Sequence, residues 1–85
     1  MSEFYRSLGR RIKHRRRMLY LRQRDVATVV GVTMQQIQKY EYGLNRISLE
    51  HYLKLCVALD CDLDQLVSEA LTEKPIAINP RKISP

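Results

Sequence analysis

Apolar positions recur along the chain every three or four residues, and the pattern breaks at glycines, capping residues and prolines. Leu8, Ile12 and Leu19, with Arg15 or Arg16 on the same side, give a helical period from about Glu3 to Leu19. Val26, Ala27 and Val30 mark a second, short helix that ends at Gly31, a residue suited to a left-handed cap. Val26–Val32 is rich in β-branched residues, but no partner strand accompanies it, so it reads as helix plus turn. Thr33 with Gln36 fits a capping box that opens a third helix at Met34, with Ile37 and Tyr40 apolar and Gly43 as its stop. After the loop Gly43–Ile47, Ser48 can cap a fourth helix with Leu49, Leu53, Cys56 and Val57 facing inward. Asp62 with Gln65 forms another capping box, opening a fifth helix through Leu63, Leu66, Val67 and Leu71. Pro75, Pro80 and Pro85 stop further helix. The pattern predicts an all-α fold of five short helices, with one domain over residues 1–73 and a loose tail over 74–85.

Composition supports a single folded unit. The chain has 85 residues, 45% of them hydrophobic and 28% charged, the make-up of one small globular domain. Its net charge of +6 favours an anionic partner, nucleic acid or a membrane surface. The charge is unevenly placed: +8 over residues 1–24, −5 over 25–73 and +3 over 74–85. Six of the eight residues from Arg10 to Arg17 are Lys or Arg, dense enough for a phosphate-binding face rather than a merely solvated one. A membrane-surface helix needs massed apolar residues opposite such a face, and Leu8, Ile12, Leu19 and Tyr5 form only a thin stripe. Val26–Val32 and Leu55–Leu59 fall far short of a membrane span, and no apolar run follows the N-terminal charges. Two cysteines are too few for a disulfide-framed secreted protein of this size, so a soluble, cytoplasmic protein is expected.

Catalytic and metal chemistry find little support. His14, His51, Cys56 and Cys61 match no familiar zinc spacing, and core packing is the expected role of both cysteines. No third group is readable to orient a Cys–His nucleophile. Gly9, Gly31 and Gly43 lie too far apart for a phosphate-cradling loop. No enzyme activity, metal, cofactor or small-molecule ligand is expected.

Residues 23–42 are the informative unit. A short helix, a turn containing Gly31 and a Thr33-capped helix make a helix–turn–helix. Ala27 supplies the small residue where the second of these helices crosses the first. Gly31 supplies tolerance of positive φ, and Ile37 supplies the apolar residue facing back into the core. This run, from Gln23 through Ala27, Gly31, Val32, Thr33, Ile37 and Glu41 to Gly43, is followed by Asn45, Arg46 and the Ser48-Leu49-Glu50 helix start. It resembles the lambda-repressor-like (Cro/XRE) helix-turn-helix family, and the run Leu53–Leu66 resembles that family's fourth and fifth helices. The likeness extends over roughly Leu8 to Val67.

The resemblance implies a transcriptional regulator whose third helix lies in the major groove of double-stranded DNA. Met34, Gln35, Gln36 and Lys39 are then the base-contacting positions. Glutamine can pair with adenine, lysine can reach guanine, and methionine offers apolar contact to a thymine methyl. Gln36 can also be turned back toward Thr33 by the capping box. Gln23, Thr33, Asn45 and Arg46, with Arg15, Arg17, Arg22 and Arg24, become the phosphate contacts, which position the protein without reading sequence. Arg16 and Glu41 match positions that resemble a partly buried ion pair between the first and third helices. Two departures stand out. Arg22 takes the place of the usual Ser or Thr cap on the second helix. Asp60-Cys61 replaces a more usual Gly-Val, so the fourth helix needs another ending, for which Asp tolerates positive φ better than most residues.

The family likeness further implies a homodimer reading two half-sites of a pseudo-palindromic operator about 34 Å apart. Leu63, Leu66, Val67, Leu71, Ile76 and Ile78 exceed what a small core absorbs and are the expected dimer interface. An antitoxin or regulator antagonist, acting through protein contacts on the same fold, is the competing reading.

Overall fold

The computed structural model describes residues 3–73. It contains α1 (Glu3–Met18), α2 (Gln23–Val30), α3 (Met34–Tyr42), α4 (Leu49–Ala58) and α5 (Gln65–Glu73), with no strand among the described residues. α1 packs against both α3 and α5, while α2 packs against α3 and α4. Their shared core is built on Ile12, Val26, Val30, Ile37, Leu55, Leu59 and Leu66, all fully buried. Each such aliphatic side chain contributes about 1.5–3 kcal/mol on leaving water. α1 and α3 cross where Gly9 sits. A Cβ there would come within 2.4 Å of the Tyr40 carbonyl oxygen and 2.5 Å of that of Glu41, so only glycine lets the two backbones approach this closely.

Local chemistry accounts for the helix ends. Thr33 Oγ1 accepts the Gln36 N–H at 3.1 Å, and Ser48 Oγ accepts the His51 N–H at 3.1 Å. Arg22 has no side-chain acceptor to cap α2. The reciprocal half of a capping box serves instead, with the Arg22 N–H donating to Asp25 Oδ2 at 2.8 Å. Four helices end in a Schellman-type turn, whose longer bond runs back five residues: Leu21 to Arg16, Val32 to Ala27, Leu44 to Lys39 and Cys61 to Cys56, at 3.0–3.1 Å. The left-handed residue in these turns is Gly31 (φ 83°), Gly43 (φ 71°), Asp60 (φ 49°) and Tyr20 (φ 58°). Asp60 thus ends α4 by positive φ, and Tyr20 does the same for α1 without any signal in the apolar pattern.

Two expectations about the second half need correcting. The inward face of α4 is Tyr52, Leu55 and Cys56, continued by Leu59, whereas Leu49 (73% exposed), Leu53 and Val57 (75% exposed) lie outside. α4 carries apolar residues on two adjoining faces, and only the one turned to α2 enters the core. α5 begins at Gln65 and not at Leu63. Leu63 sits in the preceding turn, its side chain exposed and its carbonyl accepting the Tyr52 hydroxyl. The first turn bonds of α5 run instead to the Asp62 and Asp64 carbonyls, from the Gln65 and Ser68 N–H groups.

Candidate nucleic-acid interface

The turn between α2 and α3 brings Ala27 and Ile37 into the core and leaves the first turn of α3 facing outward. Met34, Gln35 and Lys39 are exposed, and Gln36 is half-buried. Thr33 is exposed while its hydroxyl is engaged as the α3 cap.

Four elements are tied together behind this face by Arg16. Its Nε and Nη2 donate to Glu41 Oε2 at 2.6 Å and Oε1 at 3.1 Å, and its Nη1 donates to the Leu21 carbonyl at 2.9 Å. Gln23 Nε2 adds a 3.1 Å bond to Glu41 Oε1. The Arg16 and Glu41 side chains are 10% and 2% exposed, so this is a buried bidentate pair. It joins α1, the α1–α2 turn, the start of α2 and α3. Gln23, expected at a phosphate, therefore has its amide nitrogen fixed by Glu41, which leaves its carbonyl oxygen and backbone N–H at the α2 N-terminus.

A cavity of about 450 Å³ opens beside this cluster, lined by Lys13, Arg17, Arg22, Gln23, Arg24 and Met34 among others. The N-termini of α2 and α3 both border it, and their partial positive charge adds to that of the cations. Arg17, Arg22, Gln23, Arg24 and Met34 are thus brought together as one basic surface. Asn45 (half-buried) and Arg46 (exposed) lie in the loop after α3 and do not line this cavity. Lys13, counted in the basic run but not singled out as a phosphate contact, joins the basic surface. Its spacing of four from Arg17 puts both on one face of α1, and its ammonium lies 6.0 Å from the Tyr42 ring centroid.

Arg15 is not part of this surface. Its guanidinium caps α4 instead, donating to the Leu59 carbonyl at 2.8 Å and the Asp60 carbonyl at 2.6 Å. Arg11 likewise faces α5, 3.7 Å from Glu69. Among the expected dimer residues, Leu66 is 1% exposed and belongs to the core. Leu63 and Leu71 are exposed, Val67 is half-buried, and Ile76 and Ile78 lie outside the described residues. The outer face of α4, with Leu49, Leu53 and Val57 at successive spacings of four, is a further exposed apolar stripe, one that the periodicity turns inward. No described helix is long and apolar enough to cross a membrane.

A family model described as helix-turn-helix matches residues 12–66. The chain is 42% identical over 62 residues to an uncharacterized transcriptional regulator in the ATPase CF(0) region of Rhodospirillum rubrum, covering 73% of this chain and 57% of that protein. It therefore spans little more than half the length of that relative. Its fold is similar to the restriction-modification controller protein C.AhdI from Aeromonas hydrophila, with TM-score 0.70 at 29% identity, covering 73% of this chain and 94% of that one. The clp gene regulator ClgR from C. glutamicum has TM-score 0.79 over 86% of this chain and 95% of its own, a likeness of fold alone at 20% identity. These relatives are named as regulators and not as enzymes. From the middle of α1 into α5, the matched stretch takes in the capped turn, α3 and the buried Arg16–Glu41 tie, and the chain belongs to the lambda-repressor-like helix-turn-helix family.

Proposed function

We propose that this chain binds double-stranded DNA in the cytoplasm as a homodimer and regulates transcription from a pseudo-palindromic operator. The observation that carries the reading is the basic cavity where the N-termini of α2 and α3 meet Lys13, Arg17, Arg22 and Arg24 beside the exposed Met34 and Gln35. Two helix dipoles and four cations converge on one opening, an arrangement suited to a phosphodiester backbone. With the backbone held there, α3 enters the major groove. Met34, Gln35 and Lys39 face base edges, and Gln36, half-buried, sits at the margin. Asn45, Arg46 and the Thr33 hydroxyl reach flanking phosphates. Self-association uses the exposed Leu49, Leu53 and Val57 of α4 with Leu63, Val67 and Leu71. An apolar stripe of this extent calls for a partner, and two-fold pairing supplies an identical one.

Selection of bound duplexes from a random library at about 150 mM salt tests this reading. An enriched pseudo-palindrome is the expected result. Binding without enrichment, lost steeply as salt rises, would refute sequence reading and shift the role to protein contacts. On the enriched duplex, Gln35→Ala should weaken binding by about 1–3 kcal/mol while leaving random DNA unaffected. Equal loss on both would remove Gln35 from the base-reading set.

A further inference from the structure

Tyr20 combines two features. Its backbone is left-handed at φ 58°, and its side chain is 94% exposed. A bulky residue in that region pays a steric penalty that glycine avoids, and here no packing offsets it. The conformation is imposed by its surroundings. Leu19 and Leu21 pack against the core on either side, and the Leu21 and Tyr20 N–H groups bond back to the Arg16 and Arg17 carbonyls. Arg16 also holds the Leu21 carbonyl at 2.9 Å. Strain kept in place by a rigid surround, with an exposed functional group at its apex, points to a contact made outside the chain.

The setting defines that contact. Arg17, Leu21 and Arg22, all within three residues of Tyr20, line the basic cavity. The nearest acid in sequence, Asp25, is engaged by the Arg22 N–H. An exposed phenol on the turn that joins these cavity-lining residues suits an anionic oxygen. Resting on the DNA reading above, we propose that the Tyr20 phenol O–H donates a hydrogen bond to a DNA phosphate at the edge of this cavity. The α1–α2 turn then adds to the docking surface a sequence-independent contact that carries no charge of its own.

Tyr20→Phe and Tyr20→Gly in the full chain test this, with binding to a random-sequence duplex of about 30 base pairs at about 50 mM salt and with thermal melting. Tyr20→Phe keeps the strain and loses only the hydroxyl. It should weaken binding about tenfold, the scale of a hydrogen bond to a charged group, with no change in salt slope. Tyr20→Gly should weaken binding as much while raising Tm by about 2–6 °C, so that the loss cannot come from unfolding. Unchanged affinity for Tyr20→Phe would overturn the proposal. If Tyr20→Gly then still weakened binding, the turn geometry and not the hydroxyl would matter, and if it did not, the residue would face a protein. A Tm for Tyr20→Gly that fails to rise would remove the strain on which the inference stands. Wild-type chain that does not bind the duplex would overturn the DNA reading and this contact with it.

Discussion

Removing Arg16 probes the tie that holds the helix-turn-helix together. In Arg16→Met the Glu41 carboxylate, 2% exposed, keeps only the Gln23 amide of its three donors, and the Leu21 carbonyl loses its bond to α1. Breaking one side of a buried pair costs about 3–5 kcal/mol, because the remaining charge stays out of water without compensation. A fold of this size has about 4–10 kcal/mol of total stability, so the variant should lose from about a third of it to all of it. Urea unfolding followed by circular dichroism measures the loss directly. The double variant Arg16→Met/Glu41→Leu removes both charges and should return to within about 1 kcal/mol of the parent, since apolar packing commonly replaces a buried pair at little cost. It should not regain DNA affinity, because Gln23 would still lack the carboxylate that orients it. A single-variant loss below about 1 kcal/mol would refute the argument, as the pair would then be worth no more than a surface ion pair.

Three further outcomes follow from the geometry. Gly9→Ala puts a methyl group 2.4 Å from a backbone carbonyl and should lower Tm by about 4 °C or more, with an unchanged melt refuting the close crossing of α1 and α3. Val57→Glu places a charge in the exposed α4 stripe and should yield monomers by sedimentation at concentrations where the parent forms the proposed dimer, with stability within about 0.5 kcal/mol; an unaltered dimer would move the interface away from α4. Burial, with the Cys56 thiol beside it, pushes the Cys61 thiol up to about 11. At pH 8 roughly one molecule in a thousand is then thiolate, against about one in four for an ordinary thiol, so iodoacetamide should modify the folded protein far more slowly than the urea-unfolded chain. Equal rates would refute it.

The helix boundaries in the middle of the chain, from the end of α2 to the start of α4, were legible because they carry punctuation. Gly31, Gly43, Thr33 and Ser48 stand where the backbone needs them, and α3 starts and stops at the residues they mark. What periodicity could not settle was which of two apolar faces enters the core. Leu49, Leu53 and Val57 satisfy helical spacing as well as Tyr52, Leu55 and Leu59 do, and only the placement of α2 separates them. Tyr20 was invisible for a different reason. Its left-handed backbone closes the local turn bonds back to α1, and what selects it is the tertiary packing of Leu19 and Leu21 against the core. The cap on α2 was hidden because the acceptor is Asp25, inside the helix, and not the residue before it.

The basic first quarter shows how far charge alone carries a site assignment. Seven of its nine cations lie on one helix of 16 residues, yet register sends them to different tasks. Arg11 and Arg15, four apart, face the acidic second half of the chain, where they meet Glu69 and the carbonyls that end α4. Arg16, one residue further on, turns to α3 and is buried against Glu41. Lys13 and Arg17, again four apart, face the cavity at the helix N-termini. A hundred degrees of rotation per residue therefore separates a helix-capping arginine, a core arginine and a cavity-lining one at three consecutive positions, 15, 16 and 17. The excess of positive charge pointed to an anionic partner, and the register of α1 decides which cations are left to meet it. Replacing Arg15 should accordingly act on stability and replacing Arg17 on DNA affinity, although the two are identical in composition and two residues apart.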